Sequence, residues 1–406
     1  MRLAVELYDT RVGTLEGDSR SFDFHPTPEA LARFGTNSTA LSVAVPLTPT
    51  PRRDQAARRR NWFAELLPEG NQYEYLLTQG GIRSGDTLAF LARYGRDIAG
   101  ALQIWDLDDP SEPLVPELRP VTDARIRAMM DDPVRSPLGN DAFLGKTSLG
   151  GVQPKITLVR TEDGWAQALG GYPTTHILKP QLAGPGSTVI FDEEYGSRLM
   201  RRLGIADFAT EVSLFDGQPA LVIERFDREA GGRLHQEDFN QALGAEGNQK
   251  YQEFGGRVSL LRVAETLRRF TGRADLERLA RMVVAAVGLG NLDMHTKNLA
   301  LLHRSPTTVS LAPAYDFVPQ AHLSNDGRLA LAVGGRYRLA EVTAEDLLAE
   351  FTSWRLRHAE ALVAETLAEL ADAVAAESPL AGSHPSLQDD LARNVSNLVA
   401  GRPVGD

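Results

Sequence analysis

Two acids and an amide in the C-terminal half have the types and spacing for phosphoryl transfer. In NLDMHTKN, residues 291–298, Asp293 and Asn298 stand five positions apart. One loop can then present a carboxylate that orients a hydroxyl proton and an amide oxygen that ligates a metal ion. Asp316 follows in the strand-borne segment APAYDFVP. A hairpin of the strands LALL and VSLAP would set it opposite the loop. Mg2+ favours one or two carboxylates completed by substrate phosphates, which is the chemistry this set supplies. Alone, Asp293 and Asn298 would serve equally to cap a helix-to-strand turn; Asp316 shifts the balance towards chemistry. His295 lies between them with no second ligand at metal-binding spacing, so ordering the loop is the role it fits.

Phosphoryl transfer also needs a backbone cradle for phosphates and a cation against them. TSLGGVQPK, residues 147–155, offers Ser148 and the backbone N–H groups of Gly150, Gly151 and Val152, and ends at Lys155. It is no Walker A loop, and a hairpin turn would use the same glycine pair. Lys179 ends the apolar strand THILKP, where a lysine either reaches solvent or neutralises an anion. Its expected partner is Glu194 in FDEEYGSRLM, with Glu193 an equally physical candidate. Glu224 and Phe226 in LVIERFDR would border an adenine hung on backbone groups, or else lie on an ion-paired sheet edge. The separation of Asp293 and Asn298 is also that of the HRDLxxxN pattern of protein kinases.

The elements that must position these residues fall into three stretches. Residues 1–107 mix short strands (LAVELY, FDFHP, SVAVPL) with helical patterns at 62–67 and 87–94, an α+β subdomain. Residues 106–122 are rich in proline and acid, the composition of a connector. Residues 123–233 alternate as an antiparallel sheet interrupted by one helix at 192–202, a β-rich lobe. From 234 to 406 helical patterns dominate, at 237–243, 258–270, 275–289 and 360–375. The chemically suggestive residues gather where the last two stretches would meet, and clefts between domains concentrate ligand sites.

Composition narrows the class. A chain of 406 residues, 42% apolar and 24% charged, can bury a large core and suits two or three domains. Without cysteine, disulfides and thiolate metal sites are excluded, which fits a reducing compartment. The amino terminus lacks the apolar core of a signal peptide and no apolar run is long enough for a bilayer, so a cytoplasmic protein with no membrane contact is expected. A net charge of −11 argues against broad attraction to nucleic acid. The basic run 52–62 reads as a solvated helix face.

These segments, in this order, resemble the HipA family of toxin kinases. The resemblance runs through LLPEG, GRDIAGALQ, SLGGVQPK, HILKP, DEEYGSRLMRRLGI, ERFDR, NLDMHTKN and PAYDF. It implies an α+β, two-lobed protein-kinase-like fold, with a β-rich N-lobe, an extra N-terminal subdomain and a mostly helical C-lobe. It also implies a serine/threonine kinase using ATP and Mg2+. The target would be a translation component such as an aminoacyl-tRNA synthetase, and growth arrest would follow. By the same resemblance Asp293 is the catalytic aspartate, and Asn298 and Asp316 are the metal ligands. Ser148, Gly150, Gly151, Val152, Lys155, Lys179, Glu194, Glu224, Phe226 and His295 fall on the nucleotide side. Ser148 matches an autophosphorylated loop serine, which would make the kinase self-limiting. The implied partner is a helix-turn-helix antitoxin, HipB-like, through which alone DNA would be met. A catalytically weak co-repressor and a small-molecule kinase are the competing readings.

Overall fold

In a computed structural model, residues 1–229 and 232–406 are described. The chain divides into two compact units, one of Met1–Pro180, Ser213–Glu237 and Leu302–Thr308, the other of Gln181–Val212, Asp238–Leu301 and Val309–Asp406.

In the first unit, alternating apolar residues at the amino terminus build an antiparallel sheet in the order Phe22–Pro26, Thr10–Gly17, Arg2–Leu7, Leu102–Asp106. Leu3, Val5 and Leu7 point to one core, joined by Trp62, Phe63, Phe90 and Tyr94 from the helices Ala56–Ala64 and Thr87–Tyr94. Burying each such side chain is worth about 1.5–3 kcal/mol. Two local expectations need correction. SVAVPL, residues 42–47, is not a strand. The Ser42 hydroxyl accepts from the N–H groups of Ala44 and Val45 at 2.8 and 3.1 Å and donates to Glu237 at 2.6 Å, and this local turn displaces a ladder. The helix expected at 62–67 runs earlier, and its basic run is not simply solvated, because buried Arg59 forks onto Asp23 at 2.6 and 2.7 Å.

A six-stranded sheet follows in the order Glu117–Val121, Gly164–Leu169, Ile156–Thr161, His176–Pro180, Gln218–Glu224, Thr210–Phe215. The first of these lies within the stretch read as a connector. Its Pro120 is tolerated because the strand is at the edge, where one side needs no donors. Helix Asp123–Asp131, capped by the Thr122 hydroxyl, buries Ile126, Met129 and Met130 against Trp165, Leu178 and Val222.

The second unit is mostly helical. The expected helices are present as Phe239–Leu243, Leu260–Phe270, Arg273–Leu289 and Ala359–Ala376. Two more, Ala344–Ser353 and Leu387–Val399, and a hairpin of Arg328–Val333 with Arg336–Arg338 add to the pattern read from the chain. LALL and VSLAP form the neighbouring strands Ala300–Ser305 and Thr308–Leu311 of a three-stranded sheet begun by His235–Asp238, whose residues are divided between the two units. Among the described residues no helix is long and apolar enough to cross a membrane.

Candidate active site

The central loop is built from the end of the helix Arg273–Leu289. Gly290 adopts φ +66°, and the Asn291 N–H returns to the Ala286 carbonyl at 2.9 Å, the left-handed stop that glycine makes at least cost. Asn291 Oδ1 then accepts from the Asp293 N–H at 3.1 Å. The Asp293 carbonyl collects the His295 N–H at 2.8 Å and Asn298 Nδ2 at 2.8 Å. Because the Asn298 amide donates there, its Oδ1 is turned to the opposite side as an acceptor. Thr296, fully buried, anchors the loop with its hydroxyl 3.0 Å from Asn240 Oδ1 and 3.2 Å from the Lys250 carbonyl. The Asp293 side chain remains 42% exposed, with Oδ1 3.7 Å from Nε2 of buried His295.

Asp316 lies beyond the strand Thr308–Leu311 rather than on it. Ala312 makes the last ladder bond to the Ala300 carbonyl, Pro313 has no N–H to give, and the Ala314 N–H turns to the Ile205 carbonyl at 2.9 Å. Asp316 itself is left-handed, φ +55°, which costs a non-glycine residue about 1–2 kcal/mol and is the kind of strain that gathers at functional sites. The Tyr315 hydroxyl donates to the Lys297 carbonyl at 2.8 Å, tying this segment to the loop of Asp293 and Asn298. One unit thus brings Asp293, His295, Asn298 and Asp316 into two connected segments.

The helix Val189–Arg202 packs on the same segment. At Gly196 an added Cβ would lie 2.2 Å from the Phe317 carbonyl oxygen, so only glycine permits the approach. Tyr195 donates to the Glu377 carbonyl at 2.9 Å, and Asp192 accepts from the His384 N–H at 2.9 Å with His322 Nε2 at 3.1 Å. Glu194 is engaged by Arg198 through two bonds of 2.8 and 3.2 Å, whereas its neighbour Glu193 is 1% exposed.

The remaining candidates lie in the first unit. Lys179 is buried on the strand His176–Pro180, in register with Leu221. Glu224 is exposed at the end of Gln218–Glu224, and Phe226 is half-buried just after it. Ser148 is buried, its N–H donates to the Asp97 carbonyl at 2.9 Å, and its Oγ has no hydrogen-bond partner among the described residues. Gly150 has open space beyond its Cα, Gly151 is at φ +98°, and Val152 is exposed. Lys155 folds back so that Nζ reaches the Gly150 carbonyl.

Two groups of residues behind these carry no individual role in the expectations from the sequence. In GRDIAG, buried Asp97 accepts from Arg228 at 2.8 Å, Thr174 at 2.7 Å and Thr147 at 3.1 Å. Asp227 is forked by Arg225 at 2.9 and 2.8 Å and receives the Gly100 N–H at 2.7 Å. Burial alone would raise both carboxyls, but the surrounding guanidinium groups outweigh it and hold both below the usual range. This network fixes the base of the Ser148 loop and the ERFDR turn together. The second is Tyr251, whose phenol donates to Asp293 Oδ1 at 3.3 Å and whose ring stands edge-on to His295 at 5.3 Å between centroids. The motif GRDIAG signalled the first; no local spacing signals a tyrosine 42 positions away from its partner.

Residues 3–105 match the model of the HipA N-terminal domain, and residues 147–378 match that of the HipA-like C-terminal domain. The chain belongs to the HipA family of serine/threonine kinases. It is 34% identical to “Putative kinase Y4mE” of Sinorhizobium fredii over 76% of this chain and 75% of that protein. With “Serine/threonine-protein kinase toxin HipA” of Shewanella oneidensis it shares 27% identity over 86% of this chain and 82% of the other. A solved complex of HipA, HipB and operator DNA from Shewanella oneidensis MR-1 contains a chain matching 98% of this one, covered over 96% of its own length, with a TM-score of 0.78 at 25% identity. The fold is therefore the two-lobed, kinase-like α+β fold of HipA. Among the described residues no cluster of three or more acidic, histidine or cysteine side chains could hold a metal alone. The oxygen donors Asn298 and Asp316 suit a hard cation that completes its shell with phosphates and water.

Proposed function

We propose that this HipA-family kinase transfers the γ-phosphoryl group of ATP to a serine or threonine of a protein, as the toxin of a toxin–antitoxin pair. The observation that carries the site assignment is the loop in which Asn298 is pinned by the Asp293 carbonyl while the Asp293 carboxylate stays half exposed. Asp293 is positioned to accept the proton of an incoming hydroxyl and orient its oxygen. Asn298 and Asp316 would hold Mg2+, which when bound neutralises charge on the transferring phosphates. Lys179 supplies a cation to the phosphates; Glu194, the helix acid expected to accompany it, is engaged by Arg198. Gly150, Gly151 and Val152 offer backbone donors, and Glu224 and Phe226 border the base.

The name of the Shewanella relative and the HipB-containing complex support a helix-turn-helix antitoxin as partner, through which DNA would be met. A translation component such as an aminoacyl-tRNA synthetase is the proposed target, on the family resemblance. Ser148 is the proposed autophosphorylation site. Its buried position means that a phosphate added there requires the loop to leave, which would disassemble the cradle. Ser148→Ala should abolish a self-phosphate shift in the intact mass; an unchanged shift would remove Ser148 from this role.

The test is incubation of the purified protein with γ-labelled ATP, Mg2+ and a cell lysate, beside Asp293→Ala. Label on a discrete protein band, absent with the variant, is expected. Label confined to small molecules would point to a small-molecule kinase, and no turnover alongside intact DNA co-repression would point to a binding protein.

A further inference from the structure

Far from the catalytic loop, the second unit contains a cavity of about 290 Å³ lined by Arg268, Thr271, Gly272, Arg273, Leu276, Arg355, Leu356 and Arg357. Four of those eight residues are arginines in a chain whose net charge is −11. Arg273 pairs with Glu277 at 2.7 Å. Arg268, Arg355 and Arg357 are exposed and make no side-chain hydrogen bond or ion pair among the described residues. Three guanidinium groups gathered without acids repel one another unless an anion joins them.

The backbone adds to this. After helix Ala344–Ser353, Arg355 takes φ +57°, its N–H bonding the Thr352 carbonyl at 2.9 Å, while the Leu356 N–H bonds the Phe351 carbonyl at 3.1 Å. That turn favours glycine, and an arginine stands there instead, directed to the cavity. Arg268 lies in the last turn of Leu260–Phe270, where it also complements the helix dipole. Gly272 caps Arg273–Leu289 without a side chain, so that helix's first N–H groups face the same place.

We propose that this cavity binds a small anion carrying two or more phosphate groups. Guanidinium forks match phosphate oxygens two at a time, and the three uncommitted ones exceed what one carboxylate can satisfy. The site is separate from the ATP site, since the catalytic loop follows the other end of the 17-residue helix Arg273–Leu289, about 25 Å away at 1.5 Å per residue.

The test is calorimetric titration of the intact protein with inorganic tripolyphosphate in Mg2+-free, low-salt buffer, for wild type, Arg268→Ala/Arg357→Ala and Arg355→Gly. The double variant changes only exposed side chains and should keep its melting temperature. Wild type should show a binding event that the double variant weakens at least tenfold. Arg355→Gly should also weaken it while raising the melting temperature, because glycine relieves the left-handed strain. No binding, or binding unchanged in both variants, would overturn the proposal by leaving the cavity without a ligand or the phosphates at the ATP site. Tighter arginine-dependent binding of a single-stranded oligonucleotide than of tripolyphosphate would overturn the small-ligand assignment in favour of a nucleic-acid surface.

Discussion

The carboxylate of Asp97 is fully buried and receives Arg228, Thr174 and Thr147 at 2.8, 2.7 and 3.1 Å, whereas the Asp293 side chain is 42% exposed and takes a 3.3 Å bond from Tyr251. The first acid is held charged by guanidinium groups inside the protein and meets no substrate. The second sits on a loop braced through its backbone, which leaves its carboxylate accessible to an incoming hydroxyl. The same side chain thus serves packing in one unit and is the proposed base in the other, and the two differ in where these hydrogen bonds fall. Around Asp97 they fall on the carboxylate; around Asp293 the Asn298 and His295 donors fall on the carbonyl.

The contrast can be broken from the Asp97 side most forcefully. Asp97→Ala leaves Arg225 and Arg228 buried with one acid between them, so a loss of about 3–5 kcal/mol in unfolding free energy is expected by denaturant titration. A loss below about 1 kcal/mol would show that the network is not what secures the loop base.

Acid should act on the same unit. Burial first, then neighbouring His303, lowers the pKa of His235 from its ordinary 6.5 to about 3. The folded protein therefore holds this imidazole neutral while the unfolded chain protonates it. Its contribution is complete above pH 6.5 and is lost as pH falls towards 3, at up to about 1.4 kcal/mol per pH unit. Stability measured from pH 7 to 4.5 should decline, and His235→Gln should flatten that decline; an unchanged slope would assign it to other groups.

On the Asp293 side a smaller effect sharpens the comparison. Tyr251→Phe removes one long hydrogen bond to the carboxylate, worth about 1 kcal/mol, so kcat should fall about fivefold and the acidic limb of its pH profile should move. A fall with no movement of the profile would make Tyr251 a packing residue alone.

Much of the geometry of the Asp293 loop was legible because Asp293, Asn298 and the helix stop at Gly290 are neighbours in the chain, where spacing translates directly into geometry. Helices with long apolar stripes were legible for the same reason. Leu387–Val399 was harder, since Leu387, Leu391, Val395 and Leu398 are separated by acids and amides. The turn at Ser42 and the helix inner face at Arg59 could not be read locally, because their partners Glu237 and Asp23 lie 195 and 36 positions away. Asp316 was read on a strand-borne segment, but Pro313 ends the ladder before it. The pairing of Arg225 and Arg228 with Asp97 depends on folding distant segments together, as does the contact of Tyr251 with Asp293.

The most direct measurement is phosphoryl transfer by Asp293→Ala and wild type with γ-labelled ATP and Mg2+, read beside their melting temperatures. Loss of the general base should lower the rate by about 10²–10⁴ with the melting temperature essentially unchanged. Transfer at the wild-type rate by a folded Asp293→Ala protein would contradict the account.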